Sequence, residues 1–291
     1  MLTTEQSNPD TFNLHEMSAF DIVRKMNAED ATISNSVQKA LPEIASAVEL
    51  ITDRLKKGGR LFYIGAGTSG RLGVMDASEC PPTFGTKPDM VHGIISGGEF
   101  ALGDALELAE DDRNAGKEAI QNKNINKLDA VFGISASGTT PFVLAALEYA
   151  RAQGTGTIGL ACNEHSPLLE RVDIGICVLV GPEILAGSTR LKAGTAQKMV
   201  LNMLSTTTMI RLGKVYKNRM VDLQVTNKKL VRRAEQMVAE LGEVSLQTAS
   251  KLLTQTGNNV KKAIVMARLG ISSEEAEKRI LDSRGYLEKI L

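Results

Sequence analysis

Residues 60–70 read Arg60-Leu-Phe-Tyr-Ile-Gly65-Ala-Gly67-Thr-Ser-Gly70. A short apolar run that closes in glycines reads as a buried strand turning into the start of a helix. The construction recurs. Met90-Val-His-Gly-Ile-Ile-Ser-Gly-Gly98 is a second copy, and Asp129-Ala-Val-Phe-Gly-Ile-Ser-Ala-Ser-Gly138 a third. Gly156-Thr-Ile-Gly-Leu-Ala-Cys162 and Ile174-Gly-Ile-Cys-Val-Leu-Val-Gly181 complete a set of five. Helix-like segments separate them, at about 69–77, 103–117, 141–153 and 166–170. Apolar strands alternating with helices predict an α/β fold, a five-stranded parallel sheet doubly wound with helices on both faces. Ligands of such sheets bind beyond the C-terminal strand ends. Here those ends are rich in glycine and hydroxyls.

Outward from the sheet, the spacing of Ile33, Val37, Ile44, Val48, Ile51 and Leu55 predicts one helix over about 32–57. A shorter helix spans about 18–26, and the polar first dozen residues read as an extended arm. A long helix is expected over 194–211, apolar around much of its circumference. The tail carries short amphipathic segments separated by Gly242, Gly257 and Gly270, with Ser272-Ser-Glu-Glu275 as a capping box. It reads as a small helical domain. The expected organisation is therefore an N-terminal arm and helices over 1–58, a ligand-binding domain over 59–228 and a C-terminal helical domain over 229–291.

Lys and Arg total 34 and Asp and Glu total 34. That balance argues against a nucleic-acid coat or an anionic membrane surface as partner. With no Trp and 4% aromatic residues, base stacking is a poor fit as well. Cys80, Cys162 and Cys177 form no CxxC pair and read as reduced thiols. His15, His92 and His165 stand apart from them, so neither a metal site nor a cofactor is expected. No signal peptide or spanning run is visible, which points to the cytoplasm.

Three strings carry the chemistry. Gly65-Ala-Gly67-Thr68-Ser69-Gly70 formally matches a dinucleotide fingerprint, but no acidic residue closes the next strand. A phosphate or sugar held by backbone N–H groups and hydroxyls is the competing reading, and a plain glycine turn the bland one. Ser135-Ala-Ser137-Gly138-Thr139-Thr140-Pro141 gathers four hydroxyls where a helix begins. Plain N-capping needs only one, so a phosphate cradle is favoured. Gly187-Ser-Thr-Arg190-Leu-Lys192 brings two cations to a helix start, as a capping loop or an anion contact. By pattern alone, Glu79 beside Pro81-Pro82 and Glu110 in an acidic run read as solvated carboxylates.

Residues 65–85 (GAGTSGRLGVMDASECPPTFG), 133–142 (GISASGTTPF) and 181–204 (GPEILAGSTRLKAGTAQKMVLNML) together resemble the N-acetylmuramic acid 6-phosphate etherase family. The last string also resembles a signature of the glucokinase regulatory protein. Residues 4–9, 27–30 and 220–227 fit the same family, so the resemblance covers almost the whole chain. It implies a sugar isomerase (SIS) domain, a C-terminal three-helix unit, and a homodimer with its site near the subunit interface.

The implied reaction cleaves the C3 lactyl ether of a sugar phosphate by elimination and water addition, giving N-acetylglucosamine 6-phosphate and D-lactate. It needs an acid and a base and no metal. The family's catalytic glutamates map onto Glu79, as donor to the departing lactate, and Glu110, as second acid/base. For donation near neutral pH, Glu79 would need burial or a carboxylate neighbour. Gly67, Thr68, Ser69, Gly70, Ser135, Ser137, Gly138, Thr139, Thr140, Arg190 and Lys192 are the expected substrate contacts. One departure stands out: Thr139 occupies a position where the family carries arginine, leaving Arg71, Arg190 or Lys192 to compensate. Two other readings fit the same fold, a non-catalytic sugar-phosphate sensor and an aldose–ketose isomerase.

Overall fold

The computed structural model describes residues 2–104 and 106–291. The five apolar runs form strands β1 (Leu61–Gly65), β2 (Val91–Ile95), β3 (Ala130–Ile134), β4 (Gly156–Ala161) and β5 (Ile174–Cys177). They make one parallel sheet in the order β2-β1-β3-β4-β5. Every residue of β1, β3 and β4 is buried, as a strand covered on both faces requires. At the opposite end from the glycine loops, buried Asp129 accepts hydrogen bonds from Arg60 N and Arg60 Nη2, both at 2.8 Å, and pins β1 to β3.

Register positions the functional loops. Gly65 of β1 is level with Ile95 of β2 and with Ile134 of β3. The segments after those three strands therefore leave the sheet side by side. The chain passes from β1 to β2 on one side and returns to β3 on the other. The β1–β3 crevice is thus the switch point where ligands of open α/β sheets bind.

Helices α1 (Ala19–Asp30), α2 (Ile33–Lys39) and α3 (Leu41–Lys56) precede the sheet. The single helix expected over 32–57 is broken at Ala40, which leaves the helical region. Pro42 has no N–H to continue the ladder, and its ring would clash with the preceding turn. The first residues are not an extended arm. They form three short 3-10 turns, with Thr4 buried and its N–H donating to Asn163 Oδ1 at 3.3 Å.

Helix α4 (Gly67–Phe84) runs farther than expected, through Pro81 and Pro82. The helix expected over 103–117 is instead two 3-10 turns, Gly98–Leu102 and Glu107–Asp111, followed by α5 (Arg113–Gln121) capped by Asp112; Ala105 lies outside the described residues. Helices α6 (Pro141–Ala152), α7 (Pro167–Glu170) and α8 (Lys192–Arg211) complete this part. Phe142, Val143 and Leu147 of α6 pack with Phe62, Ile64 and Val131 of the sheet.

The chain divides into two compact units. One holds the residues up to Ser78 with Asp89–Ser205; the other holds Glu79–Pro88 with Thr206–Leu291. The second contains a hairpin of β6 (Val215–Tyr216) and β7 (Arg219–Met220), then α9 (Lys228–Gly242), α10 (Leu246–Gln255), α11 (Val260–Leu269) and α12 (Ser273–Asp282). Met237, Val238, Leu253, Val260 and Ile264 from α9, α10 and α11 build its core, and α12 adds Ala276. Asn227, Ser245, Asn259 and Ser272 each cap the helix that follows. Among the described residues, no helix is long and apolar enough to cross a membrane.

Candidate active site

The loop after β1 is closed by backbone against backbone. A Cβ on Gly70 would lie 2.7 Å from Gly65 O and 2.7 Å from Ile95 Cγ1. Only glycine lets α4 start that close to the sheet. Ser69 is buried and donates to Gln197 Oε1 of α8 at 3.0 Å, while Gln197 Nε2 is buried without a partner. Thr68 lies against Gly194, whose added Cβ would meet Thr68 Cγ2 at 3.4 Å.

The loop after β3 is closed by hydroxyls. Ser135 Oγ lies 2.8 Å from Thr140 Oγ1 and 3.2 Å from Ser137 Oγ. Gly138 N donates to Ser135 Oγ at 3.0 Å; Thr139 N and Thr139 Oγ1 donate to Ser137 Oγ at 3.2 and 2.9 Å. Thr140 occupies the N-cap of α6 but gives it no side-chain cap. The first-turn N–H groups of α6 therefore stay available, and the helix dipole favours an anion there. Plain capping does not account for the hydroxyls. Gly138 has φ +72°, and a Cβ there would sit 2.3 Å from Ser166 Oγ, itself buried without a hydrogen-bond partner.

Of the three cations named above as candidates to compensate at Thr139, two are engaged. Arg71 donates to the carbonyls of Leu102 (3.2 Å) and Asp104 (2.8 Å). Lys192 is buried, with Nζ 2.6 Å from Glu29 Oε2. Burial pushes the Glu29 carboxyl up, but hydrogen bonds from Lys192 and Asn8 and the Lys192 charge outweigh it and hold Glu29 below its usual range. Arg190 is exposed and makes no hydrogen bond or ion pair among the described residues.

Glu110 sits on the second 3-10 turn, two residues before the Asp112 cap of α5. Its side chain is exposed, yet partial burial of the carboxyl, then the charges of Asp111 and Glu107, push its pKa upward. It therefore keeps its proton to higher pH than a free glutamate. Glu79 lies within α4, two residues before Pro81, and is exposed. The burial expected of a proton donor is not supplied within the single chain, because Ser78 and Glu79 lie on the exposed side of the helix while Ala77 and Cys80 face inward.

Several polar residues here carry no sequence signature. Buried Glu183 accepts from Lys192 N and Ala193 N, both at 2.9 Å, and so caps α8. Buried Asp76 accepts from Asn202 Nδ2 at 2.8 Å and Ser205 Oγ at 3.1 Å. Burial raises its pKa against the pull of Asn202, Tyr63 and Ser205. A carboxylate alone in an apolar stretch, as in Gly-Val-Met-Asp76-Ala, was the available hint. The three cysteines are free thiols, and burial pushes Cys177 up to about 11, which makes it unreactive near neutral pH. Among the described residues, no group of three or more His, Cys, Asp or Glu could hold a metal ion.

Comparison with known proteins follows the same lines. Residues 43–151 match the glucokinase regulatory protein N-terminal SIS domain, 114–207 the SIS domain, and 217–264 the C-terminal lid domain of glucokinase regulatory protein. A phosphoheptose isomerase from Francisella tularensis superposes with a TM-score of 0.52 at 18% identity, covering 67% of this chain and 100% of that one. One from Neisseria gonorrhoeae gives 0.51 at 16%, covering 66% and 98%. These likenesses establish the fold. The N-acetylmuramic acid 6-phosphate etherase of Caldanaerobacter subterraneus subsp. tengcongensis is 49% identical over 290 residues, 100% of this chain and 95% of the relative. That of Serratia proteamaculans is 51% identical, covering 100% and 98%. With such identity running end to end, the chain belongs to the N-acetylmuramic acid 6-phosphate etherase family.

Proposed function

We propose that this chain is the enzyme that cleaves the lactyl ether of N-acetylmuramic acid 6-phosphate, giving N-acetylglucosamine 6-phosphate and D-lactate. The observation that carries the reading is full-length identity of about half to named etherases. The hydroxyl loop at the β1–β3 switch point supports it. The phosphate is received by Ser135, Ser137, Gly138, Thr139, Thr140 and the first turn of α6. Gly67, Thr68, Ser69 and Gly70 form the facing wall. Arg190, rather than the engaged Lys192, supplies the cation that Thr139 does not.

The chemistry begins on the open-chain sugar, whose aldehyde acidifies the C2 proton. A carboxylate removes that proton, the C3–O bond breaks, and the departing lactate oxygen takes a proton. Water then adds at C3, and C2 is reprotonated. Glu79 is assigned the proton to lactate, and Glu110, kept protonated to higher pH by partial burial and then by its acidic neighbours, the second acid/base role at C2 or on water. The working form is a cytoplasmic homodimer with the site near the subunit interface. The partner would then supply the burial that Glu79 lacks in one chain. The functional division is 1–58, 59–228 and 229–291, with the sugar phosphate held by the middle part.

Release of D-lactate from N-acetylmuramic acid 6-phosphate tests the activity. An isomerase or a non-catalytic sensor releases none. Glu79→Gln should keep fold and binding and lose about 10²–10⁴-fold in turnover. Near-parental kcat in that variant removes Glu79 from the mechanism.

A further inference from the structure

The end of α4 that carries Glu79 is missing two of its own helix bonds. Pro81 and Pro82 have no N–H, so the carbonyls of Ala77 and Ser78 lose the donors an unbroken helix offers. Support comes from residues 221–224, far along the chain. Gln224 N donates to Pro82 O at 3.2 Å. The Asp222 carbonyl packs directly on Gly85, so that a Cβ there would lie 2.2 Å from Asp222 O. Val221 and Leu223, on either side, are buried in the same core as α9 and α11.

Asp222 is in turn held by the tail. Lys261 of α11 places Nζ 2.8 Å from Asp222 Oδ2 and donates to Gly213 O at 2.9 Å. Lys214 Nζ reaches the same Asp222 oxygen at 3.1 Å. The Lys261 side chain is only 6% exposed and Asp222 only 19%. An apolar pair of similar volume would stabilise a buried spot at least as well as such an ion pair. What the pair adds is direction: an ammonium with two fixed acceptors sets where the Asp222 backbone lies.

We propose that Lys261 is a positioning residue for Glu79, acting through Asp222 and its backbone contact with the Pro82–Gly85 end of α4. The inference rests on the reading of Glu79 as proton donor. It gives the C-terminal helices a role in the chemistry. Every residue in the relay belongs to one compact unit.

The test is steady-state D-lactate release by the full-length enzyme, with the folded fraction measured by circular dichroism. Lys261→Met should lower kcat roughly 10- to 100-fold with KM within about twofold, since misplacing a reacting group by about an ångström costs on that order. In a Glu79→Gln background the same substitution should cost nothing further, because the group it positions is gone. A purely structural residue would lower the folded fraction but not kcat per folded enzyme, or would lower residual activity equally in both backgrounds. Either result overturns the proposal. Lys261→Gln, which keeps a donor for Gly213 O, stands in if the methionine variant does not fold. If neither folds, Lys261 determines the fold rather than the position of Glu79, and the proposal falls. If Glu79→Gln alone retains kcat, the assignment of Glu79 has failed instead.

Discussion

The loops after β1 and β3 share residue types, register and orientation, yet they are built on opposite plans. In the first, Gly65 and Gly70 approach until no side chain fits between them, and Ser69 is committed to Gln197. In the second, Ser135, Ser137, Thr139 and Thr140 bond to one another and to two loop N–H groups. On the proposed reading, an arriving phosphate would not improve the first loop without breaking its packing. In the second it would exchange neutral hydroxyl–hydroxyl bonds for charge-assisted ones, which are roughly twice as strong. Counting glycines and hydroxyls does not distinguish these two plans; where their hydrogen bonds go does.

The largest effect that would break this contrast lies in the wall. Gly70→Ala forces a Cβ to within 2.7 Å of a backbone oxygen and of Ile95. Such overpacking against backbone should cost about 3 kcal/mol of stability, read as a drop in the urea midpoint at unchanged slope. A variant within about 1 kcal/mol of the parent would show slack in the first loop and end the distinction.

The next effect lies in the cradle and in binding rather than stability. Ser135→Ala combined with Ser137→Ala removes two donors to the phosphate. At about 1 kcal/mol each after solvent competition, KM should rise on the order of 30-fold. Because phosphate is held alike in ground and transition states, kcat should change little. A collapse of kcat at constant KM would move these serines from binding into chemistry.

The contrast also explains what the sequence disclosed. Strands β1, β3 and β4 were legible because a strand buried on both faces reads as a short, largely apolar run, and the partly exposed edge strands β2 and β5 keep the same pattern. The break at Ala40 was not, because the apolar spacing continues across it and only Pro42 marks the change. The helix expected over about 69–77 fell short in the other direction: α4 continues through Pro81 and Pro82 to Phe84, with outside support from Gln224. The excess of hydroxyls after β3 was readable, and the structure gathers them into one hydrogen-bonded loop. Glu79 and Glu110 came into view only through family resemblance, since an exposed carboxylate on a helix or turn has no pattern of its own. That Lys192 is engaged lay beyond any local reading, because its partner Glu29 is 163 residues away.

That last pair gives the smallest effect and the sharpest check on which cation serves the cradle. The Glu29 carboxyl is held below its ordinary value by Lys192 and Asn8. A carboxylate depressed in the folded state contributes stability that is present above its unfolded value, near 4.5, and fades as pH falls through the folded value. Lys192→Met removes the ammonium and leaves Glu29 partly exposed and able to rehydrate. At pH 7 the variant should be less stable by about 1 kcal/mol. Below pH 4.5 the difference from the parent should shrink progressively, as acid discharges the pair in the parent on passing through the lower folded value. Melting temperatures of both proteins measured from pH 7 down to pH 3 test this, and a constant gap would mean the pair contributes no pH-linked stability. The same variant reads the cation assignment. With its ammonium committed to Glu29, Lys192 should leave KM near the parental value, whereas a tenfold rise in KM would return Lys192 to the phosphate and displace Arg190 from that role.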